Sequence, residues 1–141
     1  MTREELIILD IDVKDKLHLF EKVSKKAYEL KLVSNEAKLI EDFYDREKSF
    51  ETYLDNECAV PHVRTENVLE SCIFFIRLKK PIKWSDEAKA QEIFAILAKD
   101  DEADYHIDML MNVSKKIMRK EYLDVLKKSK DVKKIVEIIN K

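Results

Sequence analysis

The sequence predicts an α/β domain in which a mixed β-sheet is flanked by helices on both faces. Three observations predict it. Residues 71–78 and 92–98 are nearly continuous apolar runs, which suits strands covered on both faces. Stretches of helical period lie on either side of them, one beginning at Lys16 and another after Asp100-Asp101-Glu102. The resulting order, β-α-α-β-β-β-α-α-α, includes long consecutive strands with no helix between them, so the sheet should be mixed rather than wholly parallel.

Each element has its own local reason. Residues 5–13 begin apolar and end in alternation, Leu9-Asp10-Ile11-Asp12-Val13, which reads as a strand. From Lys16 the period changes, and Leu17, Phe20, Val23, Ala27 and Leu30 recur at helical spacing. Ser34 is the expected N-cap of a second helix carrying Ala37, Ile40 and Phe43 on one face and running into Asp45-Arg46-Glu47-Lys48. Cys58-Ala59-Val60 is a short strand that Pro61 should end, because proline cannot donate to a ladder. The two long apolar strands follow. A helix after residue 102 should bury Ile107, Leu110, Val113 and Ile117, and two more are expected near 120–127 and from about 131, the last with Val132, Ile135, Val136 and Ile139.

With 141 residues, 45% of them hydrophobic, and no repeat, linker or low-complexity tract, one domain spanning 1–141 is expected. A net charge of −2 provides no basic excess for nucleic acid, and the C-terminal lysines alternate with apolar and acidic residues as solvated helix faces do. No run approaches the ~18 apolar residues of a membrane span. The charged start Met1-Thr2-Arg3-Glu4-Glu5 does not read as a signal peptide, and two cysteines fit a reducing compartment, so a cytoplasmic location is expected. There is no glycine, so turns needing positive φ should fall to Asn or Asp, with Asn35, Asn56, Asn67 and Asp86 the expected positions.

The chemistry-bearing residues are few. His62 follows Pro61 at the end of a short buried strand, where a rigid scaffold presents side chains to a cleft. Taken alone, Pro-His does not separate a nucleophile from an incidental histidine. His106 falls in the first turn of its helix, in register with Leu110, Val113 and Ile117, where a half-buried histidine with one hydrogen bond is an equal alternative. Arg46 and Glu47 end the second helix, with Thr52 six residues after Arg46. A guanidinium with a nearby hydroxyl can cradle a phosphoryl group, while Arg46 alone reads as a solvated cation. Cys58 and His62 are too few to make a metal site, and His18, among charged residues, has no assigned role.

Together these pieces resemble the type-2 IIA domains of the bacterial phosphoenolpyruvate-dependent sugar phosphotransferase system, the fructose/mannitol class. The likeness runs over nearly the whole chain: Arg46-Glu47, Thr52, Ala59-Val60-Pro61-His62, the strand 72–78, Pro81-Ile82-Lys83-Trp84, the strand 92–98 and His106-Ile107-x-x-Leu110. It implies that His62 is phosphorylated, that His106 stabilises the phosphoryl group and that Arg46 and Thr52 help hold its oxygens, with no metal and no cofactor. The implied donor is the histidine phosphocarrier HPr. The implied acceptor is a IIB domain or subunit, linked indirectly to a membrane IIC permease, with neither nucleic acid nor direct membrane insertion involved. Two positions depart from the family, Glu57 and Val63, where glycines are common. A regulatory module of the nitrogen-related type would use the same residues, and a domain that has lost transfer and only binds would account for the two departures.

Overall fold

The computed structural model describes residues 1–141. A 3-10 turn, Glu4–Leu6, leads into β1 (Ile7–Ile11), so the first strand is shorter than the 5–13 expected. The register against its neighbour shifts between Ile8 and Ile11, and Asp10 lies in the left-handed region at φ 56°. Two helices follow, α1 (Lys16–Glu29) and α2 (Glu36–Ser49). Asp15 and Asn35 cap them, accepting the backbone N–H groups of His18 and Lys38. Asn35 thus takes the place expected of Ser34, because the Ser34 hydroxyl donates to Asn67 at 2.9 Å instead.

Two short strands, β2 (Tyr53–Asp55) and β4 (His62–Thr65), flank the expected β3 (Cys58–Ala59) and were not legible as runs. The long strands are β5 (Cys72–Ser85) and β6 (Ala88–Lys99), both longer than the apolar runs at their centres. Beyond Leu78 the hairpin is covered on one side only, with Ile82 and Trp84 buried and Lys83 exposed, so a continuous apolar run stops there while the pairing continues. Pro81 sits where the β5–β6 register shifts, between Arg77 and Ile82, which is where a residue without an N–H is tolerated in a sheet. Three helices complete the chain: α3 (Ala103–Ile117), α4 (Lys120–Lys128) and α5 (Val132–Asn140).

The six strands form one mixed sheet in the order β1-β5-β6-β3-β2, with β4 also paired to β6. β1 is parallel to β5, β5 antiparallel to β6, and both β3 and β4 are parallel to β6. Alternation along β5 divides the core into two layers. Phe74 and Ile76 pack with Leu19, Phe20, Val23, Leu39 and Phe43 of α1 and α2. Ile73 and Phe75 pack with Met109, Val113, Ile117, Leu126 and Ile135 of α3–α5. The predicted α/β architecture with helices on both faces is therefore the one observed. Two expected stripe residues are displaced by two positions: Leu17 and Ile107 are exposed, and Leu19 and Met109 are buried in their stead.

Of the turn residues expected at positive φ, only Asn56 is found there; the others are Asp10, Lys31 and Glu57. Asn56 and Glu57 are the two residues between β2 and β3, at φ 54° and 62°. Two central residues at positive φ are the requirement of a tight antiparallel turn that favours Asn-Gly, so Glu57 carries a steric cost that glycine would not. Replacing Glu57 by Gly is expected to raise stability by roughly 0.5–1 kcal/mol, the relief of strain exceeding the entropy lost by glycine. Chemical denaturation of the two proteins side by side checks this, and a Gly variant no more stable than the parent would count against it.

Candidate functional site

Strands β3 and β4 are one strand interrupted. Cys58 and Ala59 pair with Glu92 and Ile93, and after Val60-Pro61 the pairing resumes at His62↔Ile96 with the register unchanged. Pro61 lacks an N–H, but its carbonyl accepts the Ile96 N–H at 2.9 Å, so the break costs the ladder little. Alternation puts Val63 into the core beneath α1 and α2 and places His62 on the face toward α3. His62 is buried, with 7% of its surface exposed.

Both ring nitrogens of His62 are engaged. Nδ1 lies 2.7 Å from the carbonyl oxygen of Val60, and Nε2 lies 3.1 Å from Nε of Arg46. A carbonyl can only accept and a guanidinium can only donate, so Nδ1 carries the proton and Nε2 the lone pair. Arg46 reaches this point from the last turn of α2, steadied by its Nη1 donating to the Phe50 carbonyl at 2.9 Å. Burial, and less strongly the Arg46 charge, lower the His62 pKa against an opposing effect of the Val60 carbonyl, favouring the neutral imidazole.

His106, in the first turns of α3, brings its ring to within 4.9 Å of the His62 ring, centroid to centroid. Its Nε2 is buried and has no hydrogen-bond partner. Burial first, then repulsion from His62 whenever that ring is protonated and from the Arg64 and Arg46 guanidiniums, push its pKa from 6.5 down to about 4. Two separated parts of the sequence thus converge on the His62 imidazole, α2 with Arg46 and α3 with His106.

Thr52 is placed differently. It is buried, its hydroxyl donates to the carboxylate of Glu47, and it makes no hydrogen bond to His62. Glu47, named in the sequence only as the neighbour of Arg46, is itself buried and ion-paired with Lys16. Arg64, not singled out in the sequence, follows His62 by two residues on β4 and donates to the Asp100 carbonyl at 3.1 Å, beside the start of α3. Period-2 alternation would have found it had the strand been continued past Pro61. Cys58 keeps its proton, its pKa pushed up to about 12 by burial, and its Sγ lies 3.6 Å from the Asn56 carbonyl. His18 belongs to the capping turn of α1, where its Nδ1 accepts the Lys14 N–H at 3.1 Å. No helix is long and apolar enough to cross a membrane.

The chain matches the family described as "Phosphoenolpyruvate-dependent sugar phosphotransferase system, EIIA 2" over residues 1–141. It is 25% identical to the mannitol-specific phosphotransferase enzyme IIA component of Bacillus subtilis (strain 168), over 94% of this chain and 98% of that protein. It is 32% identical to multiphosphoryl transfer protein 2 of Escherichia coli (strain K12) over 63% of this chain, but spans only 11% of that protein's length. Among solved structures, the crystal structure of nitrogen regulatory protein IIA-Ntr from Neisseria meningitidis superposes with a TM-score of 0.89 at 25% identity, covering 98% of this chain and 95% of that one. Enzyme IIA-Mtl of Escherichia coli, solved in complex with phosphorylated enzyme IIB-Mtl, shares the fold with a TM-score of 0.83 at 18% identity, 99% of each chain covered.

The depressed pKa of His106 has a measurable consequence. Its imidazole should stay neutral from pH 7 down to near pH 4, where an unfolded histidine would already be protonated below about 6.5. Between those values the unfolded state binds the extra proton, so stability is fully present above about pH 6.5 and declines as pH falls toward 4. The imidazole C–H resonances of His106, followed by NMR through this range, should show their inflection well below 6.5; an inflection at or above it would remove the buried, cation-flanked environment.

Proposed function

We propose, for a chain that belongs to the EIIA 2 family of the phosphoenolpyruvate-dependent sugar phosphotransferase system, that His62 accepts a phosphoryl group from the phosphocarrier HPr and passes it to a IIB partner. The chain is a phosphotransferase component, and the proposal concerns which residue carries the group and which proteins give and take it. The observation that carries it is the His62 ring itself: Nδ1 bonded to the Val60 carbonyl, and a lone pair on Nε2 facing Arg46, with the unpartnered Nε2 of His106 close by.

The step follows from that geometry. The Nε2 lone pair attacks the phosphorus held on the donor's imidazole, a P–N bond forms at Nε2, and the pair of the breaking P–N bond returns to the donor ring. No proton leaves His62, because Nδ1–H stays with the Val60 carbonyl throughout. The phosphorylated ring is then held in its protonated, more labile form, and the group can be handed on by the same in-line route. Transfer of this loose kind is governed mainly by positioning and charge. Arg46 must release Nε2 for attack, after which its guanidinium stands beside the phosphoryl oxygens as a bidentate partner. An Nε2–H tautomer of His106 would donate to a third oxygen, and this neutral donor avoids adding another charge next to Arg46. The protein would do this in the cytoplasm, with a membrane IIC permease served only through IIB.

Similarity to the nitrogen regulatory protein IIA-Ntr favours a second reading, in which the phosphorylation state of His62 governs binding to a non-transport protein. Transfer onward to a purified IIB domain distinguishes the two, since the regulatory reading requires none.

With HPr, its upstream kinase and phosphoenolpyruvate, the protein is expected to acquire an acid-labile, base-stable phosphate on Nε2 of His62. His62→Ala should abolish labelling, and undiminished labelling would sink the assignment. His106→Ala should still label at His62 but transfer at least about tenfold more slowly, the scale of one lost transition-state donor. Unchanged rates in both directions would take His106 out of the site.

A further inference from the structure

Beneath the His62 imidazole lies a buried network that the carrier reading does not use. Glu47, on the last turn of α2, accepts two hydrogen bonds from Thr52: the hydroxyl on Oε1, and the backbone N–H on Oε2 at 3.4 Å. Its countercharge comes from α1, where Lys16 Nζ stands 3.5 Å from Oε2 and 4.9 Å from the centre of the Trp84 ring. Glu47 and Thr52 are 8% and 4% exposed, so water does not compete freely for these bonds.

The network continues toward the site through the backbone. The Thr52 carbonyl accepts the N–H of Val60 at 2.8 Å, and the Val60 carbonyl accepts Nδ1–H of His62 at 2.7 Å. The two consecutive residues Arg46 and Glu47 therefore address opposite sides of one imidazole. Arg46 contacts Nε2 directly, and Glu47 acts on the Nδ1 side through Thr52 and Val60.

We propose that Glu47 and Thr52 are a positioning pair for His62: Glu47 holds Thr52 by its hydroxyl and amide, and Thr52 holds the Val60 peptide whose carbonyl keeps the imidazole proton on Nδ1. Thr52 then works through the main chain rather than on the phosphoryl oxygens. Its hydroxyl is committed to Glu47, and withdrawing it would leave a buried carboxylate short of a donor. The physical logic is that of a metal-bound histidine oriented by its outer partner, with a peptide carbonyl as the partner here. Only the kinetic part of the proposal rests on His62 being the phosphoryl acceptor; the tautomer is a property of the unphosphorylated protein.

The test uses the full chain labelled with 15N, in which long-range 1H–15N correlations report which nitrogen of His62 bears the proton. The parent is expected to show Nδ1–H with a bare Nε2. Thr52→Val and Glu47→Ala should move His62 to a mixture of tautomers and slow phosphoryl transfer from HPr at least about tenfold, the size of effect expected from a misplaced nucleophile. Thr52→Ser keeps the hydroxyl and should stay near the parent in both measurements. If Glu47→Ala loses its dispersed amide spectrum, Glu47→Gln, which retains an oxygen for the Thr52 hydroxyl, takes its place and should fall between parent and Thr52→Val. A folded Thr52→Val protein with the parent's tautomer overturns the proposal, and so does a changed tautomer with an unchanged transfer rate. Absence of any label on the parent would defeat the carrier reading instead, and the tautomer measurement would then decide the positioning pair alone.

Discussion

β6 is hydrogen-bonded on both edges along most of its length, to β5 on one side and to β3 and β4 on the other, and the remaining structure is arranged around that pairing. Its buried run from Ile93 to Ala98 forms the floor of both core layers. Because β3 and β4 keep one register against it, the Val60-Pro61 step interrupts the ladder without moving the chain sideways. The backbone on either side of Pro61 is fixed by the sheet, so the side chain of His62 begins from a rigid base. A loop of the same length would leave the imidazole to sample many orientations, and fixing it in one of them would cost rotamer entropy.

Helices then complete the arrangement from opposite ends of the sequence. α2 delivers Arg46 and Glu47 at its final turn, and α3 delivers His106 at its start. The helix ends do different electrostatic work. The start of α3 is a region of positive backbone potential that suits an anion near His106, while the guanidinium of Arg46 stands ready at the end of α2. The same surroundings that would welcome a phosphoryl group hold both histidines neutral beforehand, since burial and positive neighbours oppose their protonation.

The absence of glycine shows where such a scaffold tolerates strain. At the β2–β3 turn the chain adopts two consecutive left-handed residues with Asn56 and Glu57. The conformation is held from several directions. The Glu57 carbonyl accepts the N–H groups of Gln91 and Glu92, the Glu57 N–H donates to the Tyr53 hydroxyl at 3.1 Å, and Lys127 of α4 donates to the Asn56 carbonyl at 2.8 Å. A turn fixed this firmly leads directly into β3 and hence to His62. The steric cost of Glu57 thus falls on a turn that four hydrogen bonds hold in place.

Local composition and spacing by themselves determined the fold class, the two central strands, the helix spans from Lys16 and from residue 103, and the four residues Arg46, Thr52, His62 and His106 as candidates. These are properties of short segments: apolar runs, helical period, a proline that must end a ladder. The strand β4 and the cap at Asn35 are settled by partners distant in sequence, while β2 and the hairpin beyond Leu78 are settled by strand pairing that no apolar run marks. β4 exists as a strand because β6 offers it a free edge, and Asn35 caps α2 because Asn67 occupies Ser34. The same holds for the site. Sequence could name four residues, but the tautomer of His62, the convergence of His106 on it and the attachment of Thr52 to Glu47 follow only from packing, since each depends on atoms brought together by the sheet.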